Sequence, residues 1–420
     1  MKVNGIIAEY NPFHNGHLYQ LQESERLTGC DYTVVVMSGD FVQRGAPALV
    51  DKRTRAQAAL RCGADLVLEL PVIYATASAE FFAMGAAALL DRLGAVTHLC
   101  FGSECGDAHR LRKIAAFLLD EPERYKKDLK HLLREGISFP QARAKALSSQ
   151  DILSDGCSEI LSTPNNILGI DYIKALLKLG SDIVPITVKR LGAGHSDDVP
   201  AASIAQPASL PAAPISAHAV RRMLREGQPL ERLCPYLPED SLSLLKAYPV
   251  ENALHSDDFS ALLYYRLLME RGQGYERYFD VPESLSNRIL SKLDEFTGFE
   301  AFCSLLKTKE MTYARISRGL LHILLGIEKN HLALGEALGY APYAKVLGFR
   351  RSAAPLLRAV RERSAIPLVT SLADAERNLP ADAGRLLRLD IQASAVYQGM
   401  ASLRAGRAAG SEYRAPLVIL

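Results

Sequence analysis

The sequence predicts an α/β fold, a doubly wound parallel sheet followed by a mainly α-helical C-terminal half. Three observations carry that expectation. An apolar run beginning at Val3, and further runs at Asp31 to Met37 and Asp65 to Leu70, alternate with stretches of helical period, and strand, helix, strand with short connections makes a parallel sheet. The first run is broken by Asn11-Pro12 and leads through His14-Asn15-Gly16-His17 into a helix that starts near Leu18. From about Glu231 onward the period is helical almost throughout.

A strand, a tight turn and a helix N-terminus, in that order, make a phosphate site. The free N–H groups of the first helical turn and the dipole end favour phosphate oxygens by roughly 0.3–1 kcal/mol per anionic contact. His14 and His17 add donors aimed at the same place, and Gly16, without a Cβ, lets a ligand approach the backbone. After the helix from Leu18 to Thr28 and the strand Asp31 to Met37 comes a glycine-bearing loop, SGDFVQRGAPA, from Ser38 to Ala48. Ligands of open α/β sheets lie beyond such strand ends. Arg44, Lys52, Arg53 and Arg55 are therefore either within reach of a polyphosphate or RNA backbone or simply a solvated basic helix start.

Arg53 to Cys62 reads as a helix, Asp65 to Leu70 as the third strand, stopped by Pro71, and Ala75 to Leu93 as an alanine-rich buried helix. The fourth strand, His98 to Phe101, runs into Gly102-Ser103-Glu104, where the glycine leaves room for adenine or ribose, or only makes a turn. Asp107 to Leu147 is helical and charged, with a break near Gly136 to Pro140. Ser162 to Leu179 is a helix with Pro164 near its first turn, which places Asn165 and Asn166 to cap it or to bind a ligand. A fifth strand, Asp182 to Val188, ends at Lys189-Arg190. The stretch Val199 to Pro214 holds four prolines, six alanines and no charge, so it reads as a flexible loop. Ile215 to Leu224 then restarts a helix with Ser216 as N-cap, presenting Ser216, His218 and Arg221 near its start. The planar fork of Arg221 suits bidentate grip on phosphate oxygens.

In the second half, Ser260 to Arg271, Leu285 to Glu295, Tyr313 to Ile327 and Ala353 to Arg363 carry the helical period. Between Lys345 and Arg363 stand six Lys or Arg (345, 350, 351, 358, 361, 363) against one acid, Glu362. Lys307, Lys309, Arg315 and Arg318 form a second basic group. Such clusters fit RNA phosphate binding or a solvated helix face.

Composition narrows the class. With 420 residues the chain has room for two or three domains, and its 49 basic against 47 acidic residues give no global nucleic-acid signal, so any basic surface is local. The seven cysteines (30, 62, 100, 105, 157, 234, 303) form no CxxC pair or metal spacing, which fits reduced thiols in a cytoplasmic protein. No secretory leader and no apolar stretch of ~18 residues is visible, so no membrane partner is expected.

His-x-Gly-His directly after a first strand resembles the signature of the nucleotidylyltransferase and class I aminoacyl-tRNA synthetase superfamily, whose sheet is Rossmann-like. The resemblance then becomes narrower. VNGIIAEYNPFHNGHLYQL, MSGDFVQRGAPALVDKRTRAQAAL, GADLVLELP, FGSE, TPNNILGIDYIKAL, ITVKR, YARISRGLLHILLGI and KVLGF together resemble the bacterial tRNA(Met) cytidine acetate ligase family, from residue 3 to about 400. That resemblance implies two domains, an ATP-binding catalytic domain over 1–230 whose mobile loop is 199–214, and a mainly helical tRNA-binding domain over 231–420. It implies activation of acetate by ATP as acetyl-adenylate, and transfer of the acetyl group to N4 of the wobble cytidine of elongator tRNA(Met). His14 and His17 are the expected catalytic residues. The implied ATP contacts are Ile7, Ala8, Glu9, Tyr10, Asn11, Pro12, Phe13, His14, Asn15, Gly16, His17, Leu18, Tyr19 and Gln20, then Gly102, Asn165 and Arg190, with Ser216 and Arg221 after the loop. Mg²⁺ bridging the phosphates is expected, without an evident acidic ligand set.

Two positions depart from the family pattern. The Ser-Ala-Thr-x-Ile-Arg motif is here Ser216-Ala217-His218-Ala219-Val220-Arg221, and position 20, often His, is Gln20. Two other functions remain open on the sequence: a nucleotidylyltransferase acting on a small phosphorylated metabolite, and a non-catalytic RNA-binding protein. The oligomeric state is not legible.

Overall fold

The computed structural model describes residues 1–135, 137, 139–148, 157–190, 215–249 and 252–420. The Ala/Pro loop expected over 199–214 lies outside them, as does part of the break expected at 136–140.

Five strands from the first half make the parallel frame: β1 (Val3–Ala8), β2 (Tyr32–Ser38), then, after a small ribbon of β3 (Phe41–Val42) and β4 (Ala46–Pro47), β5 (Leu66–Leu70), β6 (His98–Ser103) and β7 (Val184–Lys189). Their spatial order is β5-β2-β1-β6-β7, all parallel. The order reverses between β1 and β6, and in a doubly wound sheet the crevice outside the carboxyl ends at that reversal is where a ligand sits.

Period-2 alternation explains why the sheet is covered on both sides. Val3 and Ile7 of β1, Val34 and Val36 of β2, and Leu66, Leu68 and Leu70 of β5 join one core, with the alanine-rich helix Ala79–Arg92 and the helix Pro164–Leu179. Ile6, Val35, Met37 and Val67 point the other way, into a second core with Leu21 of α1 (Asn15–Thr28) and Ala56, Ala59 and Leu60 of α2 (Lys52–Arg61). Side chains that alternate along a strand meet opposite faces, and strands buried on both faces read as continuous apolar runs. Helix ends follow local chemistry. Asp51 caps α2, accepting from the N–H of Arg53 and Thr54 at 2.8 and 3.1 Å, and Gly29, at φ 57°, closes α1 in the left-handed conformation that glycine adopts without strain.

The second half is not wholly helical. β8 (Ala344–Phe349) lies antiparallel against β5, and β9 (Leu368–Val369) and β10 (Val418–Ile419) pair with β8 in parallel. A short apolar run such as Lys345 to Phe349 cannot be told from a buried helical segment by period alone. Its partner lies far away in the chain, so nothing local marks it as a strand. Helices supply the rest of this half, among them Ser260–Glu270, Glu283–Lys292, Phe299–Leu306, Tyr313–Leu325 and Ala381–Arg404. The β3–β4 ribbon is pressed against Tyr313–Leu325 at Gly45, whose φ is 77° and whose added Cβ would stand 2.4 Å from the backbone N of Arg318. Ser317 Oγ donates to the Gly45 carbonyl at 2.9 Å across the same contact.

A buried ion cluster joins the two halves and corrects several sequence expectations. Lys52 Nζ stands 2.8 Å from Glu69, 2.7 Å from Glu412 and 3.6 Å from Asp40, and donates to Ser394 Oγ. Lys345 Nζ reaches Glu69 at 2.8 Å and Glu412 at 3.1 Å, and Arg53 reaches Glu412 at 2.9 Å. Arg55 is buried and spends its guanidinium on the carbonyls of Glu9 at 2.7 Å, Ser38 at 3.1 Å and Gly39. Lys52 and Arg55 therefore face no phosphate, and Lys345 drops out of the basic surface. Arg318 is likewise held by Asp280 at 2.7 Å. Arg351, Arg358, Arg361 and Arg363 do remain exposed, as do Lys307, Lys309 and Arg315.

Candidate active site

The crevice at the reversal point is built from the loop after β1. His14 is the N-cap of α1, and its Nδ1 accepts the N–H of Gly16 at 3.1 Å. The N–H of His14 in turn donates to His17 Nδ1 at 3.3 Å. An imidazole whose Nδ1 accepts carries its hydrogen on Nε2, so this reciprocal cap assigns both rings the same tautomer. The rings are stacked, with centroids 3.7 Å apart and an angle of 21°, and Tyr10 and Phe13 stand edge-on or tilted to His17 at 4.8 and 5.5 Å.

Charge in the crevice keeps the pair neutral. Burial, then the positive charges of Arg190 and Arg221, push the His14 pKa from 6.5 down to about 3. Burial, the neighbouring His14 and Arg190 hold His17 well below its ordinary value. Two neutral Nε2–H donors therefore stand at a helix N-terminus, beside two guanidinium groups. Arg221 donates to the Asn11 carbonyl at 2.6 Å, and burial lowers its own pKa. An anion placed here finds preorganised donors and the buried guanidinium of Arg221, with Arg190 exposed at the edge, and preorganised donors of this kind are effective.

The far wall comes from β6, β7 and the helix Pro164–Leu179. The Glu104 carboxylate accepts from Asn165 Nδ2 at 2.6 Å and from the N–H of Asn166 at 2.9 Å. The Asn166 side-chain oxygen accepts the N–H groups of Glu104 and Cys105 at 3.0 and 3.2 Å. Burial opposes ionisation of Glu104, but those hydrogen bonds and the Arg190 charge outweigh it and hold its pKa below the ordinary value. The N–H of Arg190 donates to the Ser103 carbonyl at 3.0 Å, and its Cγ would lie 3.5 Å from a Cβ added at Gly102. That is an ordinary contact distance, so protein packing does not require glycine there.

The structure thus gathers His14, His17, Gly102, Asn165, Arg190 and Arg221 around one crevice. Other residues of the segment hold it in place. Ile7, Tyr10 and Phe13 are buried in the cores, Pro12 is buried too, and Ala8, Leu18 and Tyr19 pack beside them, so a ligand meets chiefly their backbone. Asn11 accepts the N–H of Leu49 at 2.8 Å, and Glu9 accepts the N–H of Gln43 at 3.0 Å, fixing the ribbon to β1. Asn15 donates from its side chain to the Pro235 carbonyl at 3.0 Å, and Gln20 to the Cys100 carbonyl at 3.4 Å. Ser216 caps the helix Ala217–Arg225 by accepting the N–H of Ala219 at 3.1 Å, which leaves its hydroxyl hydrogen to donate. Sequence reasoning passed over the role of Glu104 and Asn166 as a mutual lock. The FGSE and PNN segments were the signal, but only the fold brings them together.

Comparison with known proteins places the whole chain in a family. The model of the HIGH Nucleotidyl Transferase family matches residues 1–411. The tRNA(Met) cytidine acetate ligase of Thermoanaerobacter sp. (strain X514) is 40% identical over 422 residues, covering 100% of both chains. That of Acetivibrio thermocellus is 37% identical over 425 residues, again covering 100% of each. A crystal structure of Thermotoga maritima TmcAL bound with alpha-thio ATP superposes with a TM-score of 0.88 at 33% identity, and the apo form with 0.90, each covering 100% of both chains.

Proposed function

The chain belongs to the tRNA(Met) cytidine acetate ligase family of HIGH nucleotidyl transferases, and from that premise we propose how its crevice performs the reaction. The protein is an ATP-dependent ligase that modifies a cytidine of tRNA(Met) with acetate. Elongator tRNA(Met) as the form acted on, the wobble position as the target, and cytoplasmic residence are part of the proposal. Among the described residues no helix is long and apolar enough to cross a membrane.

A carboxylate acylates a weakly nucleophilic aromatic amine only when its oxygen leaves as part of a good leaving group. Acetate oxygen attacks the α-phosphorus of ATP, the bond to the β-phosphate bridge breaks, and pyrophosphate departs. The cytidine N4 then attacks the acetyl carbonyl of the mixed anhydride, AMP leaves with the bridging oxygen, and N4 loses a proton. Attack at phosphorus calls for positioning and charge stabilisation rather than covalent help. The neutral Nε2–H groups of His14 and His17 donate to phosphate oxygens as charge builds, and Arg190 and Arg221 supply the positive field. Gly102 and Asn165 border the adenosine side. In this reading the segment from Ile7 to Gln20 borders the phosphates through its histidine rings rather than its first-turn N–H groups, which donate to the Tyr236 carbonyl, His14 Nδ1 and the His14 carbonyl, and Ser216 is assigned as a further donor.

Mg²⁺ is part of this proposal: with the nucleotide bound it would neutralise phosphate charge and need only one or two protein carboxylates, and among the described residues no group of three His, Cys, Asp or Glu could hold a metal by itself. The steps above rest on the chain's own residues.

The observation that carries this reading is the reciprocally capped, neutral histidine pair at the sheet's reversal point. The experiment that tests it is transfer of radiolabelled acetate to purified elongator tRNA(Met), with and without ATP, beside a transcript whose wobble cytidine is uridine. Label that requires both ATP and the cytidine is expected. Label independent of either, or none at all while ATP is consumed with a phosphorylated metabolite, would overturn it.

A further inference from the structure

A second compartment opens beside Asn11, lined by neither histidine of the pair. It is a cleft of about 620 Å³ between the β3–β4 ribbon, the helix Ala217–Arg225, and the starts of the helices Phe299–Leu306 and Tyr313–Leu325. That volume lies within the roughly 300–1,000 Å³ of sites that take a small organic ligand. Asn11 and Arg221 border it, whereas His14, His17, Gly102, Asn165 and Arg190 are not among the residues that line it. Two compartments that meet at one guanidinium are what a two-substrate transfer needs, one for the activating nucleotide and one for the acceptor.

The lining has the chemistry of a single-stranded RNA site. Arg44 is exposed on the ribbon at its rim. Tyr313, at the first position of its helix and 37% exposed, is the aromatic residue of a lining that also holds Val42, Pro47 and Leu254 among polar groups. Opposite it, Arg225 and Glu300 form a two-bond ion pair at 3.0 and 2.8 Å that ties the helix Ala217–Arg225 to Phe299–Leu306. His255 stands beside them, kept neutral by burial and then by the Arg225 charge, so one ring nitrogen donates and the other accepts. An aromatic face, a cation at the rim and neutral hydrogen-bonding groups inside are how splayed-out bases are held, by stacking on the ring and by phosphate contact outside. Arg44, Arg221, Arg222 and Arg225 also line the cleft, a run of cations along it that suits the successive phosphates of an RNA strand.

We propose that this cleft is the acceptor pocket, in which the target cytidine of the single-stranded anticodon loop stacks on Tyr313 with its phosphate backbone crossing Arg44. The proposal rests on the ligase reading above. It gives the protein a base-holding residue at the start of the helix that also carries Arg315 and Arg318. The cytidine N4 then faces Arg221 and Asn11, the border shared with the phosphate site, where the acetyl group is presented.

The test uses an anticodon stem–loop of elongator tRNA(Met) carrying pyrrolo-cytidine at the wobble position. Binding to the full-length protein should quench its fluorescence, as stacking does. Tyr313→Leu should relieve the quench and lower acetyl transfer to unmodified tRNA by roughly 10- to 100-fold, the range of one lost base–aromatic stack. Tyr313→Phe and Tyr313→Trp should keep both, and acetate-dependent ATP–pyrophosphate exchange should stay at the wild-type rate in all three. Arg44→Gln, at an exposed position that folding tolerates, should weaken stem–loop binding and reduce its salt slope by about one phosphate contact. Wild-type quenching and transfer in Tyr313→Leu, or wild-type affinity and salt slope in Arg44→Gln, would overturn the pocket. Loss of exchange together with transfer in a folded Tyr313→Leu would also overturn it, since the cleft would then serve ATP. If the wild-type protein acetylates no RNA, the ligase reading falls first, and the two failures are thereby distinguished.

Discussion

The ion cluster around Lys52 and the crevice around His14 both bury ionisable groups and both lie against the same sheet, yet they are built on opposite logic. In the cluster the cations of Lys52, Lys345 and Arg53 meet the anions of Asp40, Glu69 and Glu412. In the crevice Arg190 and Arg221 stand beside rings that burial and those same charges keep neutral. A saturated network has nothing to offer a ligand. A positive field with no carboxylate paired to it beside neutral donors is a site for an anion. The cluster supplies stiffness instead, because Lys345 and Glu412 belong to the C-terminal half and Asp40 to the loop between β2 and the β3–β4 ribbon. Removing any one partner would leave a buried charge exposed to its like.

The largest effect expected from this contrast is on stability. Lys52→Met should destabilise the fold by about 3–5 kcal/mol, because it leaves Glu69 and Glu412 short of a buried counter-ion. Urea unfolding measures this, and a near-wild-type midpoint would show the cluster to be as dispensable as surface pairs. His17→Ala should leave the unfolding midpoint far less affected and instead lower acetate-dependent pyrophosphate exchange by roughly 10²–10³-fold, the usual cost of one preorganised donor. Its affinity for tRNA(Met) should be unchanged in a filter-binding assay. If exchange survives in His17→Ala, the crevice is not where phosphate is activated.

Acid sharpens the comparison further. His14 has its folded pKa depressed from 6.5 to about 3, so the unfolded chain binds the extra proton between those values and stability must fall as pH falls through that window. Glu69 and Glu412 are also held below their ordinary values: burial opposes this, but Lys345 and Lys52 outweigh it for Glu69, and Lys52, Lys345 and Arg53 for Glu412. Their contribution is present above the ordinary carboxylate range and is lost only at lower pH. Unfolding free energy measured from pH 7 to 5 should therefore decline, and His14→Gln, which cannot titrate, should flatten that decline. An unchanged slope in the variant would mean that His14 is not held neutral. The smallest effect is at the surface. Arg358→Ala and Arg361→Ala, at exposed positions outside both regions, should each weaken tRNA binding modestly and lower its salt slope by about one unit, with exchange untouched.

How much of this was legible in the sequence follows from what each element depends on. The parallel strands were readable because burial on both faces makes continuous apolar runs, and α1 because its turn and caps are local. β8 was not, since its partner β5 lies hundreds of residues away. The histidine pair was visible as a motif, but its neutrality comes from burial and from Arg190 and Arg221, which only the fold brings near. Lys52, Arg55 and Lys345 misled for the mirror-image reason: a basic residue reads alike whether it faces solvent, phosphate or a buried Glu412. His218, where the family pattern has Thr, stands in the lining of the second cleft, a placement no spacing in the sequence foretold.

The central claim is that acetate oxygen attacks the α-phosphorus of ATP in the crevice. Supplying acetate labelled with ¹⁸O at both oxygens and analysing the products by mass spectrometry tests it most directly. The account predicts that one ¹⁸O appears in the phosphate of AMP and one stays with the acetyl group on the cytidine. AMP free of ¹⁸O, or label in pyrophosphate, would contradict it.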